Sequence, residues 1–174
     1  MSKDNFFVHT DPSFKEPDIS RWVWCLEDIR NELIKQISPL NQHQLDQPME
    51  QESTIGSLLY HIALVEADWL FVEVLEQENF DSDLLELFPY PFHGEDKKLS
   101  MVTGDSIEFH LLRLRKVRER LHIVFQQMSL AEYRRPRTFD TYNVTPEWVI
   151  YHLIEHEANH RGQIFSMIRQ IKNS

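Results

Sequence analysis

Residues 145–172 read TPEWVIYHLIEHEANHRGQIFSMIRQIK. Val149, Leu153, His156, His160, Ile164, Met167 and Ile171 recur at steps of three and four. At about 100° per residue they share an arc of about 80° on a helix. Thr145 followed by Pro146 supplies a capping side chain and a proline at the first helical position, so a helix is predicted over 145–172. Two histidines therefore sit within its apolar stripe. Four residues apart, they lie one turn apart on one face, the spacing for two imidazoles on one metal ion. An unpaired buried imidazole is costly. The two require either a shared metal or separate hydrogen bonds to carbonyls or carboxylates.

Three further segments carry the same period. Residues 18–37 repeat Ile19, Trp22, Leu26, Ile29, Leu33 and Ile37, with Asp18 as a cap and Pro39 beyond the end. Residues 53–78 start at a Ser53 or Thr54 cap and repeat Ile55, Leu58, Ile62, Val65, Trp69 and Val72. Residues 105–128 repeat Ile107, His110, Leu114, Val117, Leu121, Val124 and Met128. Four such helices predict an all-α fold, a four-helix bundle. The link over 79–104 is the longest and holds Pro89, Pro91 and Gly94. Placing a bundle-length crossover there predicts an up-down-down-up order with helices two and three parallel. Residues 1–174 read as a single domain, with 1–17 as an N-terminal arm packed through Phe6, Phe7 and Phe14.

Composition removes several function classes. The four glycines, at 56, 94, 104 and 162, allow no G-x-G-x-x-G turn and no phosphate loop. Eighteen basic against 28 acidic side chains give a net charge of −10, which repels phosphate backbones, so no nucleic-acid partner is expected. The densest basic runs, 113–120 and 134–137, read as solvated surface. Cys25 stands alone, a half-buried structural residue that points to a reducing, cytoplasmic compartment. The opening MSKDNFFVHTDPSF has no apolar core of a leader. The window 55–75 carries His61, Glu66, Asp68 and Glu73, so no membrane span and no membrane partner are expected.

His61 lies at the inward edge of the helix-two stripe. Alone it reads as a hydrogen-bonded core residue; with His156 and His160 it would make a three-nitrogen site with an open position, the plan of catalytic zinc. His110 is a fourth inward imidazole, predicted at similar depth and read either as an auxiliary facing the site or as a hydrogen-bonded core residue. His152, at the stripe edge, divides in the same way. Glu157 lies about 60° round from His160 and reads as a polar auxiliary near the metal. His156-Glu157-Ala158-Asn159-His160 matches H-E-x-x-H, but the residues after His160 include no further histidine or acid to complete a protease site. A di-iron plan fails because Glu119 and His122 face outward and Glu66 is badly placed. His9, His43, His93 and His122 read as surface residues. Gly162, inside the fourth helix, implies close packing beside the site.

Leu58-Leu59-Tyr60-His61 with Glu66, Trp69 and Leu70, and His152-x3-His156-x3-His160-Arg161-Gly162-Gln163-Ile164, resemble the DinB-like, or YfiT-like, superfamily of four-helix metal-binding proteins over about residues 18–172. The resemblance implies that His61, His156 and His160 bind a divalent metal. It also implies a homodimer, and a small-molecule substrate such as a low-molecular-weight thiol. Relatives include S-transferases for bacillithiol and mycothiol, a thiol-dependent isomerase, and proteins without assigned activity. Neither the arm nor residues 81–99 match a family motif; both are expected at the pocket mouth. Three imidazoles suit zinc, nickel, copper or iron, with zinc and nickel foremost. A thiol on such an ion would ionise and attack an electrophile. Water there, with a pKa lowered toward about 7, would hydrolyse one. The resemblance favours transfer of the thiol to a small electrophile. A metal-dependent hydrolase and a non-catalytic metal- or ligand-binding bundle are the alternatives.

Overall fold

The computed structural model describes residues 6–48 and 53–173. In chain order its elements are α1 (Pro17–Ile37), α2 (Gln42–Asp46), α3 (Ile55–Asp68) continuing into a π-helical turn (Trp69–Val74), α4 (Ser82–Leu85), α5 (Ile107–Gln127), α6 (Leu130–Tyr133), a small antiparallel hairpin of β1 (Arg137–Thr138) and β2 (Asn143–Val144), and α7 (Pro146–Asn173). The fold is all-α in its architecture, and the long helices α1, α3, α5 and α7 occupy the four periodic segments.

Local chemistry sets their ends. Helix α1 starts with Pro17 in its first turn after an uncapped Glu16, so Asp18 lies inside the first turn rather than capping it. There its charge still complements the helix dipole. Thr54, not Ser53, caps α3 by accepting from the Ser57 amide at 2.9 Å. The second helix stops short of residue 78, because Glu76 adopts a left-handed φ of 56° directly after the π-helical turn. Ser106 caps α5 and Thr145 accepts from the Trp148 amide at 3.1 Å. The short elements α2, α4, α6 and the hairpin carry too few residues for a periodic signal.

Contacts between the long helices advance in regular order. Along α3 and α5 they run in the same sense: Gly56 lies by His110 and Glu66 by Arg118. Along α3 and α7 they run in opposite senses, from Trp69 by Trp148 to His61 by His160. Helix α3 with its π-helical turn is the core element. Ile55–Val74 is long and apolar enough to cross a membrane, yet 78% of its window is buried inside the protein.

The basic runs are not solvated surface throughout. Arg113, Arg118 and Arg137 are buried. Arg113 lies over the Tyr60 and Phe109 rings, at 4.8 and 4.5 Å, and donates to the Leu87 carbonyl and to Asp105. Arg118 joins a buried network with one member from each long helix: Arg30 of α1 (3% exposed), Glu66 of α3 (2%), Arg118 of α5 (5%) and Glu157 of α7 (2%). Arg30 donates to both carboxylates, to Glu66 at 2.7 Å and to both oxygens of Glu157. Arg118 donates twice to Glu66, at 2.7 and 3.0 Å, and to Glu157 at 3.0 Å. Burial would push the Glu66 carboxyl up, but Arg118 and Arg30 outweigh it and hold it below the usual carboxylate range. Glu27 extends the network, with His122 at 3.0 Å and Arg118 at 2.8 Å. Burial opposes its charge, yet His122 and Arg118 bring it down to about 2.

The arm packs only in part. Phe14 is buried, its ring centre 5.7 Å from that of His122, whereas Phe6 and Phe7 are exposed; residues 1–5 lie outside the described residues. The Lys15 amide donates to the Gln126 carbonyl, which pins the arm to α5. Gly162 does not mark close packing. It is exposed, and a Cβ there would meet nothing within 4 Å. The tight glycine is Gly56, whose Cβ would stand 3.1 Å from the Val102 carbonyl and 3.2 Å from His110 Nε2.

These contacts fix two expected outcomes for denaturant unfolding. Gly162→Ala stabilises the fold by about 0.5–1 kcal/mol through helix propensity, whereas Gly56→Ala destabilises it by about 1–3 kcal/mol through overpacking. Arg118→Met leaves two buried carboxylates to share the single cation Arg30 and costs about 3–5 kcal/mol, while Lys116→Met on the exposed face of the same helix changes stability by less than about 0.5 kcal/mol.

Candidate metal centre

His61 projects from the middle of α3, and His156 and His160 from successive turns of α7. Their Nε2 atoms converge: His156 lies 3.1 Å from His61, and His160 lies 3.1 Å from His156. One ligand atom from each falls within 4.8 Å of the others, a group that could hold a metal ion. All three rings are half-buried. The cluster includes no carboxylate and no thiol.

Burial, with the neighbouring imidazoles His160 and His93, brings His61 down to about 4. Burial, with His160, His61 and His152, brings His156 down to about 3. Burial also lowers His160, while its bond to Gln163 works the other way. The cluster is thus neutral at pH 7, the protonation state in which imidazole binds a metal.

The donor set fits a cation on its own geometry. Gln163 lies one turn beyond His160, and its Oε1 is 2.8 Å from His160 Nδ1. The amide oxygen only accepts, so it assigns the proton to Nδ1 and leaves His160 Nε2 as a bare lone pair aimed inward. His156 Nε2 then faces two nitrogens at 3.1 Å and can donate a single proton to one of them. Hydrogen bonding within the trio alone cannot satisfy every contact. A shared cation can.

His110 is not part of this group. It is buried against Gly56, five residues before His61 and so about 7.5 Å earlier along α3. Its Nδ1 accepts from Arg113 at 3.3 Å, while its Nε2 has no partner. Burial and the Arg113 charge bring it down to about 4. The expected similar depth fails because α5 is offset along α3. Glu157 is no auxiliary at the trio either. Its side chain turns to the buried network, where Arg30 engages both oxygens. His152 stacks on Trp148 at 5.0 Å and packs against Trp69 at 4.7 Å, with its ring 6.0 Å from His156.

Residues 81–99 do reach the cluster. The Phe92 ring stands edge-on to His61 at 6.3 Å, and His93 is close enough to lower its pKa. The Tyr60 hydroxyl anchors this segment, donating to the Tyr90 carbonyl at 2.6 Å and accepting from its amide at 2.9 Å. The arm, by contrast, packs on α1 and α5. Gln163 is the candidate site residue that periodicity misses. Its spacing of three from His160 is the available signal, and it becomes informative only once that ring is known to face the site. Arg161 of the same motif pairs with Glu32 of α1 at 2.8 Å instead.

Comparison with known families places the match over most of the molecule. The family model described as the DinB superfamily matches residues 26–164, a span that includes His61, His156 and His160. No curated protein matches the chain.

The lowered imidazole pKa values have a signed consequence. Below pH 6.5 an unfolded chain protonates these histidines while folded His61 and His156 stay neutral until about 4 and about 3, so the unfolded state binds more protons. Metal-free protein therefore loses stability as pH falls from about 6.5 toward about 4. In His61→Asn that slope flattens, measured by denaturant midpoints across the window. Gln163→Ala, which frees the His160 ring, weakens zinc binding by about 10- to 100-fold in a competition titration.

Proposed function

We propose, for a chain that belongs to the DinB superfamily, that it is a metal-dependent enzyme transferring a low-molecular-weight thiol to a small electrophile at the His61, His156 and His160 centre. The observation that supports this best is the convergence of three neutral imidazole nitrogens without a carboxylate among them. Such a donor set would leave a bound zinc or nickel ion its full charge and an open position, and the ion would supply the acidity that ionises a thiol. The protein's own part is positional. Gln163 holds the His160 tautomer, Phe92 packs edge-on beside His61, and Tyr60 ties the covering segment to α3. In the reaction a sulfur–carbon bond forms as the carbon–leaving-group bond breaks, and the thiol proton departs with the leaving group.

The same reading takes the chain as one domain over 1–174, a four-helix bundle in up-down-down-up order. The parallel run of contacts along α3 and α5 and the antiparallel run along α3 and α7 support that order. It further takes the protein as soluble, cytoplasmic and homodimeric. The burial of the Ile55–Val74 helix supports solubility, and the unpaired Cys25 suits a reducing compartment. A net charge of −10 is unsuited to nucleic acid.

Metal content is the first measurement, and thiol-dependent turnover of a chromogenic electrophile the second. The expected result is a bound divalent ion and turnover that needs both metal and thiol, falling to background in a folded His156→Ala variant. Product formation without thiol would identify a hydrolase. Bound metal without turnover of any electrophile would identify a binding bundle, and no metal uptake would overturn the centre itself.

A further inference from the structure

A cavity of about 630 Å³ opens where the π-helical turn, the β-hairpin and the start of α7 meet. Its walls include Trp69, Trp148, Tyr142, Pro136 and Val144, with Asn143 among the few polar groups. The two indoles lie 5.4 Å apart, tilted by 49°. That size and lining are those of a small-molecule site. Among the described residues, no lysine, arginine or histidine lines it.

Carboxylates stand behind the aromatic wall. The Tyr142 hydroxyl donates to Glu73 Oε1 at 2.8 Å. Glu73 is only 6% exposed, and its other oxygen has no hydrogen-bond partner. Asp68, one turn earlier, is half-buried and close enough to Glu73 to act on it. Burial raises both carboxyls; at Glu73 the Tyr142 hydroxyl opposes that rise and the Asp68 charge adds to it. Neither acid enters an ion pair among the described residues. Uncompensated carboxylates at a desolvated position are costly, in contrast with the saturated Arg30–Glu66–Arg118–Glu157 network. Trp69 and Glu73 both belong to the π-helical turn, a departure from the regular helix that recurs at functional sites.

We propose that this cavity binds a small organic cation, an apolar or aromatic body bearing a substituted ammonium group, held against the cavity-lining sides of Trp69 and Trp148 and the Tyr142–Glu73 wall. Indole faces attract such a charge through their quadrupole. The unpaired acids add a directed field, and the apolar walls disfavour a hydrated inorganic ion, which would lose its water shell for few donors. The acidic surface raises the local concentration of cations. The site shares Trp69 and Trp148 with the stack around His152, but it does not depend on the metal reading.

The test titrates phenyltrimethylammonium and its neutral isostere tert-butylbenzene into the full-length protein, with and without chelator, following indole fluorescence and heat. The cation is expected to bind about tenfold or more tightly than the isostere in both states. Trp148→Leu, at an exposed position, weakens the cation about tenfold. Glu73→Gln brings the two ligands to within about threefold of each other. Asp68→Asn lowers the preference in the same direction, and decides the matter should Glu73→Gln unfold. Equal affinities in the unaltered protein, no binding of either ligand, or a preference that survives both acid substitutions overturns the proposal.

Discussion

Two guanidiniums and two carboxylates, one from each long helix, meet in the core of this molecule. Such a set is weak evidence of net stability, because the desolvation of four charges offsets much of their attraction. What it supplies is register. Every hydrogen bond in it joins two different helices, so sliding any helix by a turn strands a buried charge. An apolar seam tolerates such a slip at lower cost, because one leucine replaces another.

The histidine cluster inherits its geometry from that lock. Glu157 follows His156 directly in α7, and Glu66 lies five residues beyond His61 in α3. The terminal nitrogens of Arg30 and Arg118 each reach Glu66 and Glu157 together, so they set the spacing and phase of α3 against α7 about a turn and a half from the rings. Because Glu157 is consumed there, it is withheld from the neighbouring imidazoles. The network thus both positions the three nitrogens and keeps their surroundings free of anionic ligands.

Much of this was legible in the sequence, and what was not has identifiable physical causes. The four helices show because burial imposes a period of about 3.6 on apolar residues, and His156 and His160 stand out by interrupting that stripe. The same reasoning sends Arg113 and Arg118 to the surface and leaves Glu66 without a role, since charged residues are almost never buried unless paired. Pairing is a property of four helices at once, and no single stripe encodes it. Arg30 lies just beside the expected seam of α1, so the helix is rotated slightly to bring a cation rather than Ile29 inward. The π-helical turn is equally silent, because one residue's worth of phase drift cannot be seen in so short a segment.

Gly56 and Gly162 show how composition misleads when position is unknown. A glycine within a helix costs stability, so either residue invites the inference of close approach. Only Gly56 has it, against the Val102 carbonyl and His110. Space is left there for an imidazole that accepts from Arg113 and presents an unpartnered Nε2 beside bare backbone. His110 and Gly56 are therefore one packing unit, which explains an inward histidine on α5 without any ligand. The three rings between α3 and α7 differ in kind. Their nitrogens face one another, and their contacts cannot all be met by the protons they carry. Burial alone distinguishes neither case; what separates a core histidine from a candidate ligand is whether other ligating nitrogens converge on the same point.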